Sequence, residues 1–122
     1  MNAKPVLGLT MGDPAGIGPE ICLRAVRDET VLARCVPVLF GDASVLRRVA
    51  KKGEQVCRVV SLAEFGKVPA ITEPLVVDCA AIDGARIEPG KIFAACGRAG
   101  YVYIERAITA ALAGKMPLCK RA

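Results

Sequence analysis

The residues best placed to do chemistry form a glycine-rich loop near the start of the chain, residues 11–20, with the sequence MGDPAGIGPE. The loop lies between an apolar segment that predicts a strand, residues 5–10, and a predicted helix. Because the first N–H groups of a helix are free and lie at the positive end of its dipole, a strand, loop and helix in this order can bind an anion. Gly16 and Gly18 would let the backbone turn sharply or approach a ligand closely. Asp13 could accept a hydrogen bond from a hydroxyl group or help to bind a cation.

The same loop has an interpretation that needs no ligand. Gly12-Asp13-Pro14 is a typical turn sequence, and Gly16 and Gly18 can serve backbone geometry alone. The spacing matches neither the Walker pattern nor Gly-x-Gly-x-x-Gly. We therefore keep Gly12, Asp13, Gly16 and Gly18 as candidate cofactor-binding residues that line a cleft or bind an anion. No catalytic residue and no metal ligand is predicted.

The elements around the loop predict an α/β fold with a parallel sheet, because strands and helices alternate from residue 5 to about residue 60. Pro37 lies inside the second strand and favours an edge position or a bulge, since proline cannot donate to a strand ladder. The segment around residues 65–67 is predicted as a loop. The other predicted elements are a second strand at 35–40, a helix from residue 43 that ends at Gly53, and strands at 56–60 and 75–78.

Apolar periodicity predicts which surfaces are buried. The first strand is continuously apolar, which is typical of a strand covered on both faces. In the helix after the loop, which Pro19 begins, the predicted apolar face consists of Ile17, Ile21, Ala25, Cys22 and Val26.

Residues 80–91 are rich in turn sequences, and a long helix is predicted from Phe93 to about Ala113. One face of this helix carries Tyr101, Ile104, Ile108, Ala111 and Leu112. Gly97 and Gly100 suggest either that another backbone packs closely against its first turns or that the helix start is frayed or broken. A helix of this length normally leads to another parallel strand, and none is predicted after it. We expect an architecture cut off within a unit after the helix ending near residue 114, with an open sheet edge and an exposed apolar helix face.

Composition sets broad limits. With 122 residues and a mean hydropathy of +0.41, the chain predicts a single folded unit, residues 1–122. No apolar run is long enough to span a membrane and no signal peptide is predicted, so a cytoplasmic protein is expected. The net charge is +5, but the densest basic run, residues 47–52, ends a helix and lacks interleaved aromatic residues, which disfavours nucleic-acid binding. The six cysteines form no Cys-x-x-Cys pair and the chain has no histidine, so a zinc site and a histidine base are not expected.

Two motifs resemble the 4-hydroxythreonine-4-phosphate dehydrogenase family. The first is MGDPAGIGPE directly after an N-terminal strand. The second is the stretch at 90–108, GKIFAACGRAGYVYIERAI, which is similar to a family segment that often has a serine where Phe93 stands. The two motifs occur in the family's order, and the resemblance covers most of residues 5–115.

The resemblance implies a partial three-layer α/β/α fold like that of isocitrate and isopropylmalate dehydrogenases, lacking the C-terminal part. It implies an NAD-dependent and divalent-metal-dependent oxidation of a phosphorylated hydroxy acid with decarboxylation, in pyridoxal 5′-phosphate biosynthesis, by a homodimer. The family's metal-binding histidines and main substrate-binding residues lie beyond the point that matches residue 122, and residues 116–122 do not match the family. We therefore expect the N-terminal part of a dehydrogenase that is inactive alone. A non-catalytic phosphate- or nucleotide-binding module, or a gene product without function, is the alternative.

Overall fold

The structure, a computed structural model, describes residues 4–52, 54, 56–91 and 94–116. These contain four strands: β1 (Val6–Thr10), β2 (Val36–Gly41), β3 (Arg58–Ser61) and β4 (Leu75–Asp78). They also contain five α-helices: α1 (Gly18–Ala25), α2 (Glu29–Leu32), α3 (Ala43–Val49), α4 (Leu62–Lys67) and α5 (Ala94–Leu112). A short 3-10 turn, Gly84–Arg86, precedes α5. Within the described residues, no helix is both long and apolar enough to cross a bilayer.

The four strands form one parallel sheet in the order β1-β2-β4-β3. The connections from β1 to β2 and from β2 to β3 run in one direction across the sheet, and the connection from β3 to β4 runs back. Since such crossovers are right-handed, α1 and α3 cover one face, where they pack against each other, and α4 covers the other face. α5 packs on β1 and β2. The predicted parallel α/β fold is confirmed.

β2 is a central strand, so the edge position predicted from Pro37 is wrong. Pro37 pairs with Leu7 of β1, whereas the ladder between β2 and β4 begins one residue later, at Val38 and Leu75. The missing N–H of Pro37 therefore falls just before the ladder on the β4 side and costs no strand hydrogen bond. The residues that follow it, Val38 to Phe40, are fully buried because helices cover both faces.

β1 is an edge strand, and the prediction that it is covered on both faces is wrong. Val6 is buried, but the Leu7 side chain is 45% exposed, and Gly8 and Thr10 are exposed. The continuous apolar run of residues 5–10 therefore belongs to a strand that has one neighbouring strand, β2, in the described part of the chain. Within the described residues, β1 and β3 are the two edges of the sheet, and the missing strand expected after the last helix stays a prediction.

The apolar face predicted for α1 is only partly correct. Cys22 and Val26 are buried, together with Pro19 and Leu23, but Ile17 is 72% exposed and Ile21 is also exposed. The helix has apolar residues over more than half of its circumference, and the rest of the fold, including α3, covers only the part centred on Cys22 and Leu23. Of the five predicted residues, two are buried, two are exposed and Ala25 is half-buried.

Residues 65–67 lie in a helix, α4, and the loop predicted there is wrong. Ser61 precedes the helix, and its Oγ accepts a hydrogen bond from the Glu64 amide at 3.1 Å. The Glu64 carboxylate accepts in return from the Ser61 amide at 3.2 Å. This capping box satisfies two free N–H groups and starts a helix that Gly66 does not prevent.

α5 confirms the long helix, and its predicted apolar face is exposed rather than buried, as the expected open architecture implied. Its buried residues are Cys96, Ala99, Tyr103 and Ala110. Of the two glycines, Gly100 packs against another backbone: an added Cβ would lie 3.4 Å from the Gly12 carbonyl oxygen, whereas one at Gly97 would meet open space. The predicted helix end at Gly53, the predicted helix start at Phe93 and residues 117–122 lie outside the described residues.

Candidate functional site

The candidate loop follows β1 at the carboxyl edge of the sheet, where its conformation is held by local hydrogen bonds. The Asp13 carboxylate accepts from the Ala15 amide at 2.8 Å, and the Asp13 carbonyl accepts from the Gly16 amide at 3.0 Å. Asp13 is exposed and Pro14 is buried. One carboxylate oxygen of Asp13 is therefore engaged in closing the turn.

Two of the three glycines in the loop are explained by the backbone. Gly12 has a φ of +73°, in the left-handed region that favours glycine. At Gly18, an added Cβ would lie only 2.2 Å from the Met11 carbonyl oxygen. Gly16 has neither restriction, because its nearest contact would be an ordinary 3.4 Å to the Asp13 carbonyl oxygen. The four candidate residues lie together in one turn, and their role toward a ligand stays a prediction.

The loop is braced by neighbouring elements. The Met11 amide donates to the Phe40 carbonyl oxygen of β2 at 3.1 Å, and the Gly90 amide donates to the Ala15 carbonyl oxygen at 2.9 Å. The Gly12 carbonyl faces Gly100 of α5. The two sequence motifs, which are distant along the chain, are therefore in contact at this edge of the sheet.

A second group of residues at the same edge was not predicted from the sequence. Asp42 follows β2 and is 1% exposed. Its carboxylate accepts hydrogen bonds from the Tyr103 hydroxyl of α5 and, at 3.0 Å, from the Ala81 amide after β4. Burial raises the pKa of Asp42, and the hydrogen bond from Tyr103 opposes that shift. Burial and the neighbouring Asp42 carboxylate raise the pKa of the Tyr103 phenol, which stays protonated as a donor.

Asp78, at the end of β4, lies beside this pair. Its carboxylate accepts from the Ala80 amide at 3.1 Å and from the Ala43 amide at 3.4 Å. Asp42 and Asp78 therefore join the loops after two neighbouring strands, and the hydrogen bond from Tyr103 to Asp42 attaches α5 to them. A sequence signal existed, since Gly41-Asp42 ends a buried strand, but its partner Tyr103 is 61 residues away.

A cavity of about 390 Å³ opens at this point. It lies at the carboxyl ends of β2 and β4, from which the chain leaves in opposite directions, and parallel α/β sheets bind ligands in crevices of this kind. The lining residues are Asp42, Ser44, Asp78, Ala80, Ala81, Ile82 and Asp83. Because three carboxylates and no basic side chain line it, the cavity suits hydroxyl and amine donors better than a phosphate group.

The segment after β4 is fixed to α3. The Ser44 hydroxyl accepts from the Gly84 amide at 2.9 Å, and the Arg48 guanidinium donates to the Gly84 carbonyl oxygen at 2.7 Å and to that of Ile87. Arg48, which belongs to the basic run of residues 47–52, thus tethers the segment that leads to α5.

The described residues do not fit the expected metal. They contain no group of three or more histidine, cysteine, aspartate or glutamate side chains arranged to hold an ion, and the sequence has no histidine. The carboxylates of Asp42 and Asp78 are occupied by amide and hydroxyl donors. The acidic cavity by itself also does not fit the pyrophosphate of NAD.

The known proteins that resemble this chain in sequence carry closely related names. No protein-family model matches the chain. It is 33% identical over 122 residues to a Clostridium botulinum protein named "Putative D-threonate 4-phosphate dehydrogenase", and 34% identical over 116 residues to a 4-hydroxythreonine-4-phosphate dehydrogenase of Trichlorobacter lovleyi. The alignments cover 95% and 93% of this chain but only 35% and 34% of those proteins.

A solved structure agrees with the sequence relatives. The crystal structure of a 4-hydroxythreonine-4-phosphate dehydrogenase from Burkholderia phymatum superimposes with a TM-score of 0.78 at 31% identity, over 94% of this chain and 35% of that one. The chain thus spans about a third of the length of the proteins it matches. By sequence and by fold, the chain is similar to about a third of the 4-hydroxythreonine-4-phosphate dehydrogenases and D-threonate 4-phosphate dehydrogenases that it matches.

Proposed function

We propose that the chain contributes part of the active-site region of an enzyme that oxidises a phosphorylated hydroxy acid, 4-phosphohydroxy-L-threonine or a related compound such as D-threonate 4-phosphate. The observation that carries the proposal is the similarity of 93–95% of the chain to dehydrogenases named for these substrates. The resemblance further implies oxidation by NAD with a divalent metal and decarboxylation, by a cytoplasmic homodimer, as a step of pyridoxal 5′-phosphate biosynthesis.

In this proposal the chain supplies scaffold and one wall of a cleft. The loop of Gly12, Asp13, Gly16 and Gly18 borders the cleft at the carboxyl edge of the sheet, and Gly16 is the glycine that neither a positive φ nor a close backbone contact explains. Asp42 and Tyr103 fix the position of α5 against that edge. The remaining wall, the metal ligands and the NAD contacts would come from polypeptide that the relatives have and these 122 residues do not contain.

The proposal includes that the chain alone does not turn over substrate. This part rests on the donor set: without histidine and with its buried carboxylates engaged, the described surface provides no site for a divalent metal. Purified chain mixed with NAD, Mg²⁺ or Zn²⁺ and either phosphorylated acid should form no NADH. Turnover by the pure chain would contradict this part of the proposal.

A chimaera tests the positive part. The matching third of the Trichlorobacter lovleyi relative is replaced by residues 1–116 of this chain, and NADH formation is measured with both phosphorylated acids. We expect activity with at least one of them, with the unaltered relative as reference. A chimaera that has the relative's secondary structure and oligomeric state but no activity, beside an active reference, would overturn the proposal.

A further inference from the structure

The first half of α5 packs with one face on the glycine-rich loop. Cys96, Ala99 and Tyr103 are at most 1% exposed, and their spacing of three and four residues places them on one face of the helix. Gly100 lies about one turn before Tyr103 on the same side. A Cβ added at Gly100 would lie 3.4 Å from the carbonyl oxygen of Gly12. The backbone of the loop and the backbone of α5 are therefore in direct contact.

The Cys96 thiol meets the same loop one turn earlier. Burial is the main cause that raises its pKa; the Asp13 carboxylate adds to this shift and the Ala15 amide opposes it. At its two sides the loop has other attachments, because the Met11 amide donates to β2 and the Gly90 amide donates to the Ala15 carbonyl oxygen. Between these attachments, α5 is the element that faces the turn.

The hydrogen bond of Tyr103 fixes α5 against the sheet. The other buried side chains of the helix are apolar or a thiol, and apolar contacts are not directional, whereas a hydrogen bond requires one geometry. The Tyr103 hydroxyl donates to the Asp42 carboxylate, which the Ala81 amide holds in turn at 3.0 Å. Since Asp42 directly follows β2, and β2 also binds the Met11 amide through Phe40, the helix and the loop share one rigid strand as their support.

We infer that Tyr103 is a positioning residue for the glycine-rich loop. Its hydrogen bond to Asp42 sets the rotation and height of α5, and α5 then sets where residues 12–15 lie at the carboxyl edge of the sheet. The hydroxyl and the carboxylate belong to side chains that are 0% and 1% exposed, so little water competes for the bond. The consequence for catalysis rests on the proposed function, whereas the positioning itself does not.

Amide hydrogen exchange, measured residue by residue by NMR on the full 122-residue chain, tests this inference. The reporters are the amides of Ala15 and Gly16, which bond to the side chain and the carbonyl of Asp13 within the loop. Tyr103→Phe removes the hydroxyl and keeps the ring, and it should speed exchange of both reporters by about tenfold. The matched control is Tyr101→Phe, the same change at a 67% exposed position of the same helix, which should leave both reporters unchanged.

A second control, Ser61→Ala, separates positioning from a general loss of stability. It weakens the cap of α4, which packs on β3 and β4, so a purely global effect would speed the reporters in this variant as well. Should Tyr103→Phe fail to fold, Asp42→Asn takes its place, since it keeps the size of the acceptor and weakens the same hydrogen bond by removing the charge. Reporters that exchange no faster in the folded variant of the hydrogen bond than in the two controls would overturn the inference.

The chimaera with the Trichlorobacter lovleyi relative measures the consequence for catalysis. In it, Tyr103→Phe should lower kcat/KM by about tenfold, because displacement of groups that border a cleft misplaces the substrate, and Tyr101→Phe should leave kcat/KM unchanged. A loosened loop with unchanged kcat/KM would count against the part of the loop in the proposed function and leave the positioning role supported. An inactive chimaera would count against the proposed function as a whole, and the exchange measurement would still decide the role of Tyr103.

Discussion

Substituting alanine at Gly18 tests whether the glycine-rich loop is fixed by its own backbone. The added Cβ would lie 2.2 Å from the Met11 carbonyl oxygen, whereas real Cβ atoms essentially never approach closer than 3.0 Å. The neighbour is backbone, and the Met11 amide is itself bonded to β2, so it cannot rotate away as a flexible side chain would. Either α1 or the end of β1 must move by close to 1 Å. Overpacking of this kind costs about 3 kcal/mol, which is a large fraction of the stability of a domain.

The assay is urea unfolding followed by far-ultraviolet circular dichroism, which requires no tryptophan. With a slope of about 2 kcal/mol per molar urea, the Gly18→Ala midpoint should fall by about 1.5 M. Gly16→Ala is the matched control in the same turn, because its Cβ would meet only an ordinary contact. It should change stability by less than about 0.5 kcal/mol, or raise it slightly by restricting the unfolded chain. Equal midpoints for Gly18→Ala and the wild-type chain would refute the steric argument.

Three further predictions concern other contacts. Tyr103→Phe removes the hydroxyl donor from buried Asp42 and should cost about 1–3 kcal/mol of unfolding free energy. Because the pKa of Asp42 is raised in the folded chain, the contribution of Asp42 to stability should be full at a pH below the ordinary carboxyl pKa and should decline as the pH rises above it. Unfolding curves measured across pH should show this decline in the wild-type chain and not in Asp42→Asn. Ser61→Ala should lower the unfolding free energy by about 1 kcal/mol through loss of the α4 cap, and an unchanged urea midpoint would contradict the capping box. Gly97→Ala should raise the melting temperature by a few degrees, since it favours helix by about 1 kcal/mol and its Cβ meets open space; a lower melting temperature would show an unseen contact.

The sequence predicted the sheet well because its information is local. The apolar residues Leu75, Val76 and Val77 form β4 together with Asp78 over the predicted range, and the alternation of strands with helices is enough to imply parallel pairing. The capping box of Ser61 and Glu64 is also a local pattern, and it starts a helix through residues 65–67, where a loop was predicted.

The buried faces of α1 and α5 could not be predicted with the same success. Both helices carry apolar residues on more than one side, so periodicity identifies stripes without telling which one meets the sheet. Ile21 and Ile108 remain exposed, whereas Cys22 and Tyr103 are buried. Asp42 and Tyr103 were missed for a related reason, since their contact depends on how the sheet places α5 and on no short motif.

Backbone geometry explains two of the three glycines in the glycine-rich loop without a ligand. A glycine pattern suggests a ligand only where the backbone does not already require it, and here it is required at Gly12 by a positive φ and at Gly18 by the Met11 carbonyl. That leaves Gly16 and the exposed Asp13 as the residues whose type the backbone does not explain, and the Gly16 amide already donates to the Asp13 carbonyl oxygen. Since one oxygen of Asp13 already closes the turn, loop geometry alone gives weak support for an anion site. The functional proposal therefore depends on the family relationship, and on the contact between the loop and α5 that joins both family motifs at one edge of the sheet.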